Sequence, residues 1–187
     1  RMALVLFMVA GCWAVPRPGH AVFHGTAMGS PLDIEVFGSD QASCDRAISA
    51  ARAEIDRLEQ MFTDWKQESP LMDINHQAGE RPVRVPPELF FLVRKSIEMS
   101  ELTEGGFDIS FAAAGKLWNW RNPRVPTDDE VRASLKDVGW RGIRIDEKEQ
   151  TVFLEKPGMR IGLGGIAPGY AGDKAIEKIR ECGIRDA

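Results

Sequence analysis

Two glycine-rich joints limit what this chain can become. One is Gly105-Gly106-Phe107-Asp108-Ile109-Ser110, with Lys116-Leu117-Trp118 after it; the other is Gly164-Gly165-Ile166-Ala167-Pro168-Gly169-Tyr170-Ala171-Gly172-Asp173. Each releases into residues of helical spacing and offers bare backbone N–H groups at a helix start. Such amides, with the helix dipole behind them, favour phosphate. Two of these joints far apart on one chain point to a nucleotide-type ligand.

The bulk numbers permit this and exclude other classes. At 187 residues the chain makes one domain, or one domain and part of a second. Apolar content of 43% and charged content of 28% are ordinary for a globular fold. A net charge of -4 argues against a polyanion partner, so no nucleic acid is expected. Small phosphates are unaffected by that balance, because local dipoles hold them.

The start of the chain reads as a targeting segment. Arg1 precedes an apolar run over residues 2–10, then Gly11 and Cys12. The run is too short to span a bilayer and has the length of a signal-peptide core. Val9-Ala10-Gly11-Cys12 resembles a bacterial lipobox, with Cys12 as the lipidated residue; the plainer alternative is an N-terminal core element. Pro16, Pro18 and Gly19 follow as a linker. The expected division is a signal and lipidation site over 1–12, a linker over 13–20 and a folded part over 21–187. A lipid anchor on the periplasmic side of a bacterial cell membrane follows from it. With only Arg1 ahead of the apolar run, the gene product is expected to begin upstream. Cys44 and Cys182 fall in predicted helices and read as free thiols.

Along the chain, residues 21–37 predict a strand pair. Leu32, Ile34 and Val36 alternate with Asp33 and Glu35, and Met28-Gly29-Ser30-Pro31 breaks the pair. Ile48, Ala51, Ile55, Leu58, Phe62 and Trp65 recur at spacings of three and four, an apolar helical stripe with Arg52, Arg57 and Glu59 facing water. Trp65 stands where that helix stops, placed to stack on a ring or to fill the core. Ser69-Pro70 opens a short helix through Asn75, and Pro86-Pro87 opens another that ends at Gly105-Gly106. Asp108 is placed to cap a helix holding Leu117 and Trp118. Thr127-Asp128-Asp129-Glu130 is a capping box whose helix Gly139 closes. Residues 142–163 predict a three-stranded meander, on Ile143 and Ile145, Val152 and Leu154, then Ile161 and Leu163. Helical spacing resumes over 169–181, and Ile184 begins a further strand, so the chain is expected to continue past Ala187. The class is α+β, an antiparallel sheet packed with helices.

Alternative chemistries are thin. His20 and His24 lie in an extended, proline-flanked stretch without the convergence that zinc needs. Gly162-Leu163-Gly164-Gly165-Ile166-Ala167 fits a loose G-x-G-x-x-A dinucleotide pattern with Asp186 about twenty residues on. A strand that ends an antiparallel meander cannot supply the parallel crossover such a unit requires. Asp108, Asp173 and Met28 each have a structural reading, as cap, helix-dipole partner and turn residue.

Taken in order, the motifs match a family. Met28-Gly29-Ser30 resembles the Met-Gly-Thr opening of the ApbE family of FAD:protein FMN transferases. Trp65 with residues 69–75 resembles that family's tryptophan and its Asp-Ser-Glu-Leu…Ile-Asn segment. Residues 103–108 resemble its Thr-Gly-Gly-Phe-Asp element, with Leu117-Trp118 following at the expected place. Residues 164–173 are similar to its Gly-Gly-Ile-Ala-Lys-Gly-Tyr-Ala-Val-Asp signature. The match is co-linear over residues 21–187.

The resemblance implies an incomplete ApbE-like (T-fold-like) architecture and a magnesium-dependent reaction. In it FAD is cleaved, AMP leaves, and FMN is joined through its phosphate to a threonine or serine of an acceptor flavoprotein. Some members instead hydrolyse FAD to FMN and AMP, and a non-catalytic flavin-binding lipoprotein is a further alternative. Carried onto matching positions, Met28, Trp65, Gly106, Phe107 and Asp108 line the FAD site, and the Gly165 carbonyl ligates magnesium, which takes hard oxygen ligands. The family's catalytic histidine and acidic metal ligands are expected beyond residue 187, so residues 1–187 alone are expected to show no turnover. Two departures stand out. Gly162 replaces an aspartate that contacts FAD, and Pro168 replaces a lysine, removing a cation and an N–H together.

Overall fold

Both central residues of the first turn, Met28 and Gly29, have positive φ, 50° and 77°. That is the backbone of a type I′ turn, whose twist matches antiparallel strands. It joins β1 (Gly19–Ala27) to β2 (Ser30–Gly38), with Ala27 opposite Ser30 and Gly19 opposite Gly38. The computed structural model describes residues 18–118 and 123–187. Cys12 and the expected signal segment lie outside the described residues. Among the described residues no helix is long and apolar enough to cross a membrane.

The hairpin lies on α1 (Gln41–Phe62), started by Asp40, whose carboxylate accepts the Ser43 N–H at 2.8 Å. The 3.6-residue stripe buries Ala47, Ile48, Ala51, Ile55, Leu58 and Phe62. Each large apolar side chain so covered contributes about 1.5–3 kcal/mol; truncating the fully buried Leu58 to alanine would cost about 2–5 kcal/mol. Ser69 caps α2 (Pro70–His76) and Pro87 begins α3 (Pro87–Leu102). After the first glycine joint comes a single 3-10 turn, Ile109–Phe111, then the one-turn α4 (Ala112–Gly115). The helix expected through Leu117 and Trp118 therefore stops at Gly115. Thr127 and Glu130 form the capping box of α5 (Asp128–Leu135).

The second sheet differs from the expected meander. β4 (Ile143–Asp146) pairs with β5 (Thr151–Leu154), but the third strand is β3 (Val83–Arg84), in the order β3-β5-β4. Residues 161–163 form no strand, because their backbone groups are taken elsewhere. Ile161 donates its N–H to Asn75 Oδ1 at 2.8 Å, and its carbonyl accepts from Asn75 Nδ2 at 3.0 Å. Gly162 donates to the Ile109 carbonyl at 3.0 Å. The segment then feeds α6 (Ala167–Glu181), which packs along α1. All named strand pairings are antiparallel, so no parallel crossover surrounds the glycine run. Beyond α6 the chain reaches β2 again: Phe37 donates its N–H to the Asp186 carbonyl at 3.0 Å. Cys44 is buried in α1 and Cys182 ends α6, both as thiols.

One buried cluster joins these layers. It runs from Ile34 and Val36 on the hairpin, through the α1 stripe, to Leu89 and Val93 of α3, Val152 and Leu154 of β5, and Ile179 of α6. Loops that lead off this core carry the residues of interest.

Candidate dinucleotide site

The C-terminus of α1 and the start of α6 diverge around a cavity of about 480 Å³. Its walls are Met28 and Gly29 from the hairpin turn, Phe62 through Lys66 from the end of α1, and Leu163, Gly164, Ala167 and Pro168 from the second glycine joint, with Glu59 beside them. Most of the lining is apolar, as ligand pockets generally are, with a few polar groups set into it.

Local sequence fixes each wall. A type I′ turn wants Asn-Gly or Gly-Gly, since an ordinary side chain at positive φ is strained by about 1–2 kcal/mol. Methionine in that place keeps a long apolar side chain over the cavity in spite of the strain. At the second wall, Thr63 caps α1 with its N–H on the Glu59 carbonyl, and its hydroxyl accepts the Trp65 N–H at 3.2 Å. Ser69 donates to the Thr63 carbonyl and accepts from the Met72 N–H, so one hydroxyl closes the 63–69 loop and starts α2. Trp65 is 75% exposed on this loop, a large ring at the mouth of an apolar cavity. Arg160 crosses from the third wall: its Nη2 donates to the Asp64 carbonyl at 2.9 Å.

The glycine run is held from behind. Leu163 accepts from Ile166 and Ala167, at 3.0 and 2.8 Å, to launch α6, while Asn75 and Ile109 fix residues 161 and 162. A Cβ on Gly165 would stand 3.1 Å from the Phe107 ring, so the first joint abuts the second here. The two joints thus meet in space.

The expected site residues fall into two groups. Met28 and Trp65 line the cavity beside Gly164. Phe107 backs the run at Gly165, and Gly106 lies next to it in the joint, held by an N–H to the Thr103 carbonyl at 2.9 Å. Asp108 is committed to the backbone. Its Oδ1 accepts from the Ser110 N–H and hydroxyl at 2.8 and 2.6 Å, and its Oδ2 accepts the Trp140 N–H at 3.0 Å. Its capping role is therefore realised, on the 3-10 turn. The sequence left Asp64, Lys66 and Phe62 unremarked as site residues and put Glu59 on the water-facing side. Their only local signal was adjacency to Trp65 at a helix end.

A neighbouring charge network braces the α1, α3 and α6 helices. Arg57 binds Glu54 at 2.6 Å and Glu88 at 2.7 Å, and the Tyr170 hydroxyl donates to Glu88 at 3.1 Å. The Arg57 guanidinium holds both carboxyls below the usual glutamate range. Burial, then the Glu88 contact, pushes the Tyr170 phenol up to about 12.

Mixed helices and antiparallel sheets, with a hairpin turn and a glycine run closing on one apolar cavity, define an α+β domain. The chain belongs to the ApbE family, whose model matches residues 28–187. It is 31% identical over 167 residues to an FAD:protein FMN transferase of Klebsiella pneumoniae (strain 342), covering 88% of this chain and 52% of that protein. An FAD:protein FMN transferase of Chlamydia trachomatis is 27% identical over 178 residues, covering 92% of this chain and 54% of its own length. The crystal structure of the ApbE protein of Thermotoga maritima superposes with a TM-score of 0.80 at 29% identity, over 87% of this chain and 53% of that one. The flavin transferase ApbE of Vibrio cholerae, at 21% identity and a TM-score of 0.79, covers 90% of this chain and 55% of its own, and shares the fold. The chain spans about half the length of the curated relatives it matches.

Proposed function

We propose that this chain carries the dinucleotide-gripping part of an FAD:protein FMN transferase. In this reading FAD enters the cavity, its pyrophosphate is split, AMP leaves, and FMN is joined to a threonine or serine hydroxyl of an acceptor flavoprotein. The observation that supports it is convergence: Met28, Trp65 and Gly164, from three distant parts of the sequence, wall one cavity. The apolar lining accepts a flat ring, and the Trp65 ring gives it a face to stack on. Lys66 adds a cation at the wall, and the start of α6 adds the positive end of a helix dipole.

Magnesium dependence rests on the family resemblance. Gly165 offers one hard carbonyl oxygen, but among the described residues no three His, Cys, Asp or Glu side chains gather as metal ligands. Magnesium takes about six oxygens in near-octahedral array. The described residues alone do not compose that site.

The test is incubation with FAD, magnesium and an acceptor flavoprotein domain, read as covalent flavin fluorescence on a denaturing gel. The full encoded protein should label the acceptor, whereas residues 1–187 alone should bind FAD without turnover. Free FMN and AMP with an unlabelled acceptor would instead mean FAD hydrolysis. Binding without either product would mean a flavin-binding protein, a reading favoured by Pro168, which brings no N–H to the α6 start. No binding at all would end the proposal. The same reading takes Cys12 as the lipidated residue of a periplasmic, membrane-anchored protein. Labelled palmitate should enter the wild type and be lost in Cys12→Ser.

A further inference from the structure

Asp64 is a carboxylate set into the cavity wall, and among the described residues no donor is hydrogen-bonded to it. Its nearest cationic atom among the described residues is Arg160 Nη2, 3.9 Å from Oδ2, beyond hydrogen-bond reach. That guanidinium spends its short contacts on the Asp64 backbone carbonyl, at 2.9 Å, and on the Met72 sulfur, at 3.2 Å. Arg160 therefore fixes the backbone that carries Asp64 and leaves the carboxylate oxygens free to accept. The side chain is about one-third exposed, at 33%. A partly open pair at that distance attracts weakly and does not neutralise the acid.

The space in front of the carboxylate is made by an absence. A Cβ at Gly162 would stand 3.6 Å from Asp64 Oδ2 and 3.1 Å from the Ala112 Cβ. Residue 162 thus leaves only a shallow notch, closed on one side by Ala112 and bordered on another by the Asp64 carboxylate. A dianionic pyrophosphate is repelled from such a group. An uncharged part of a ligand that carries hydrogen-bond donors, such as sugar hydroxyls or a ring N–H, is attracted to it.

We propose that Asp64 is a ligand-contact residue of this cavity, accepting hydrogen bonds from the uncharged donor-bearing part of the dinucleotide and thereby fixing its orientation. This rests on the FAD reading above. Because the notch adjoins residue 162, a carboxylate grown from that position reaches nearly the same volume.

The experiment is titration of the purified protein with FAD, followed by flavin fluorescence and calorimetry, with thermal melting of every variant. Wild-type binding tests the FAD reading by itself, and its failure would be seen before any variant is compared. Given wild-type binding, Asp64→Ala should weaken it about ten- to a hundredfold, the range of one hydrogen bond to a charged group. Asp64→Asn, which keeps an acceptor oxygen, should lose less. The double variant Asp64→Ala/Gly162→Asp should recover part of the loss, since it returns a carboxylate beside the notch once Ala112 gives by a few tenths of an ångström. Binding by Asp64→Ala within twofold of wild type would overturn the proposal. So would a folded double variant that binds no better than Asp64→Ala.

Discussion

Phe107 fills the space in front of Gly165, where an added Cβ would lie 3.1 Å from the ring. The two glycine joints therefore act as one wall: the ring from the first sets how far the second can move. Gly165→Ala must push the ring aside, and overpacking of this kind costs about 1–3 kcal/mol. We expect a melting temperature lower by several degrees and weaker FAD binding. Adding Phe107→Leu, which shortens the obstacle, should return part of the stability. An unchanged melt for Gly165→Ala would show that the contact yields freely.

Met28 separates stability from binding. Asparagine tolerates positive φ better than methionine. Met28→Asn should therefore stabilise the hairpin by about 0.5–1 kcal/mol, on the scale of other strain-relieving turn substitutions. The same change removes an apolar side chain from the cavity wall, so FAD affinity should fall. Denaturant titration and flavin fluorescence read the two effects independently. Stability and affinity moving in the same direction would refute the division.

Asn75 replaces a missing strand. Its amide satisfies both backbone groups of Ile161, which is fully buried. Asn75→Ala leaves a buried N–H and carbonyl unpaired, and each such group costs about 1–3 kcal/mol. Guanidinium denaturation should show a loss of that order without a large change in slope. Asn75→Asp keeps the acceptor for the N–H and should fall between the two.

The Arg57 network limits stability at both ends of the pH scale. Glu54 and Glu88 titrate below their ordinary values in the fold, so their contribution is present above the usual glutamate pKa and is lost as pH falls through the depressed folded values. Tyr170 is raised, so its contribution is complete below about 10, the ordinary tyrosine value, and is lost as pH climbs toward about 12. Melting temperature against pH should decline in both windows. Tyr170→Phe should flatten the alkaline one and soften part of the acid one, because the lost hydroxyl also helps to hold Glu88 down.

Much of this architecture was legible because it is local. The alternation in 32–36, the three-and-four spacing of α1, the Ser69-Pro70 start and the Thr127–Glu130 box each state their element within a few residues. The failures share a cause. Ile161 and Leu163 have strand spacing, yet Asn75 of α2 takes both backbone groups of Ile161, the Ile109 carbonyl takes the Gly162 N–H between them, and the Leu163 carbonyl accepts from the start of α6. The strand that does complete the second sheet, Val83–Arg84, is too short to show any period. The site divides the same way. Met28, Trp65 and the glycine run stood out as motifs, whereas Asp64 became visible only when Arg160 and Gly162 were seen beside it.

The pairing of Asp186 with Phe37 gives the end of the chain a direction. In antiparallel register the segment runs back along β2, with Asp186 beside Phe37. Among the described residues no other strand occupies that margin of the hairpin. The same tie fastens the far end of α6 to the hairpin, so the two elements whose other ends wall the cavity share one anchor.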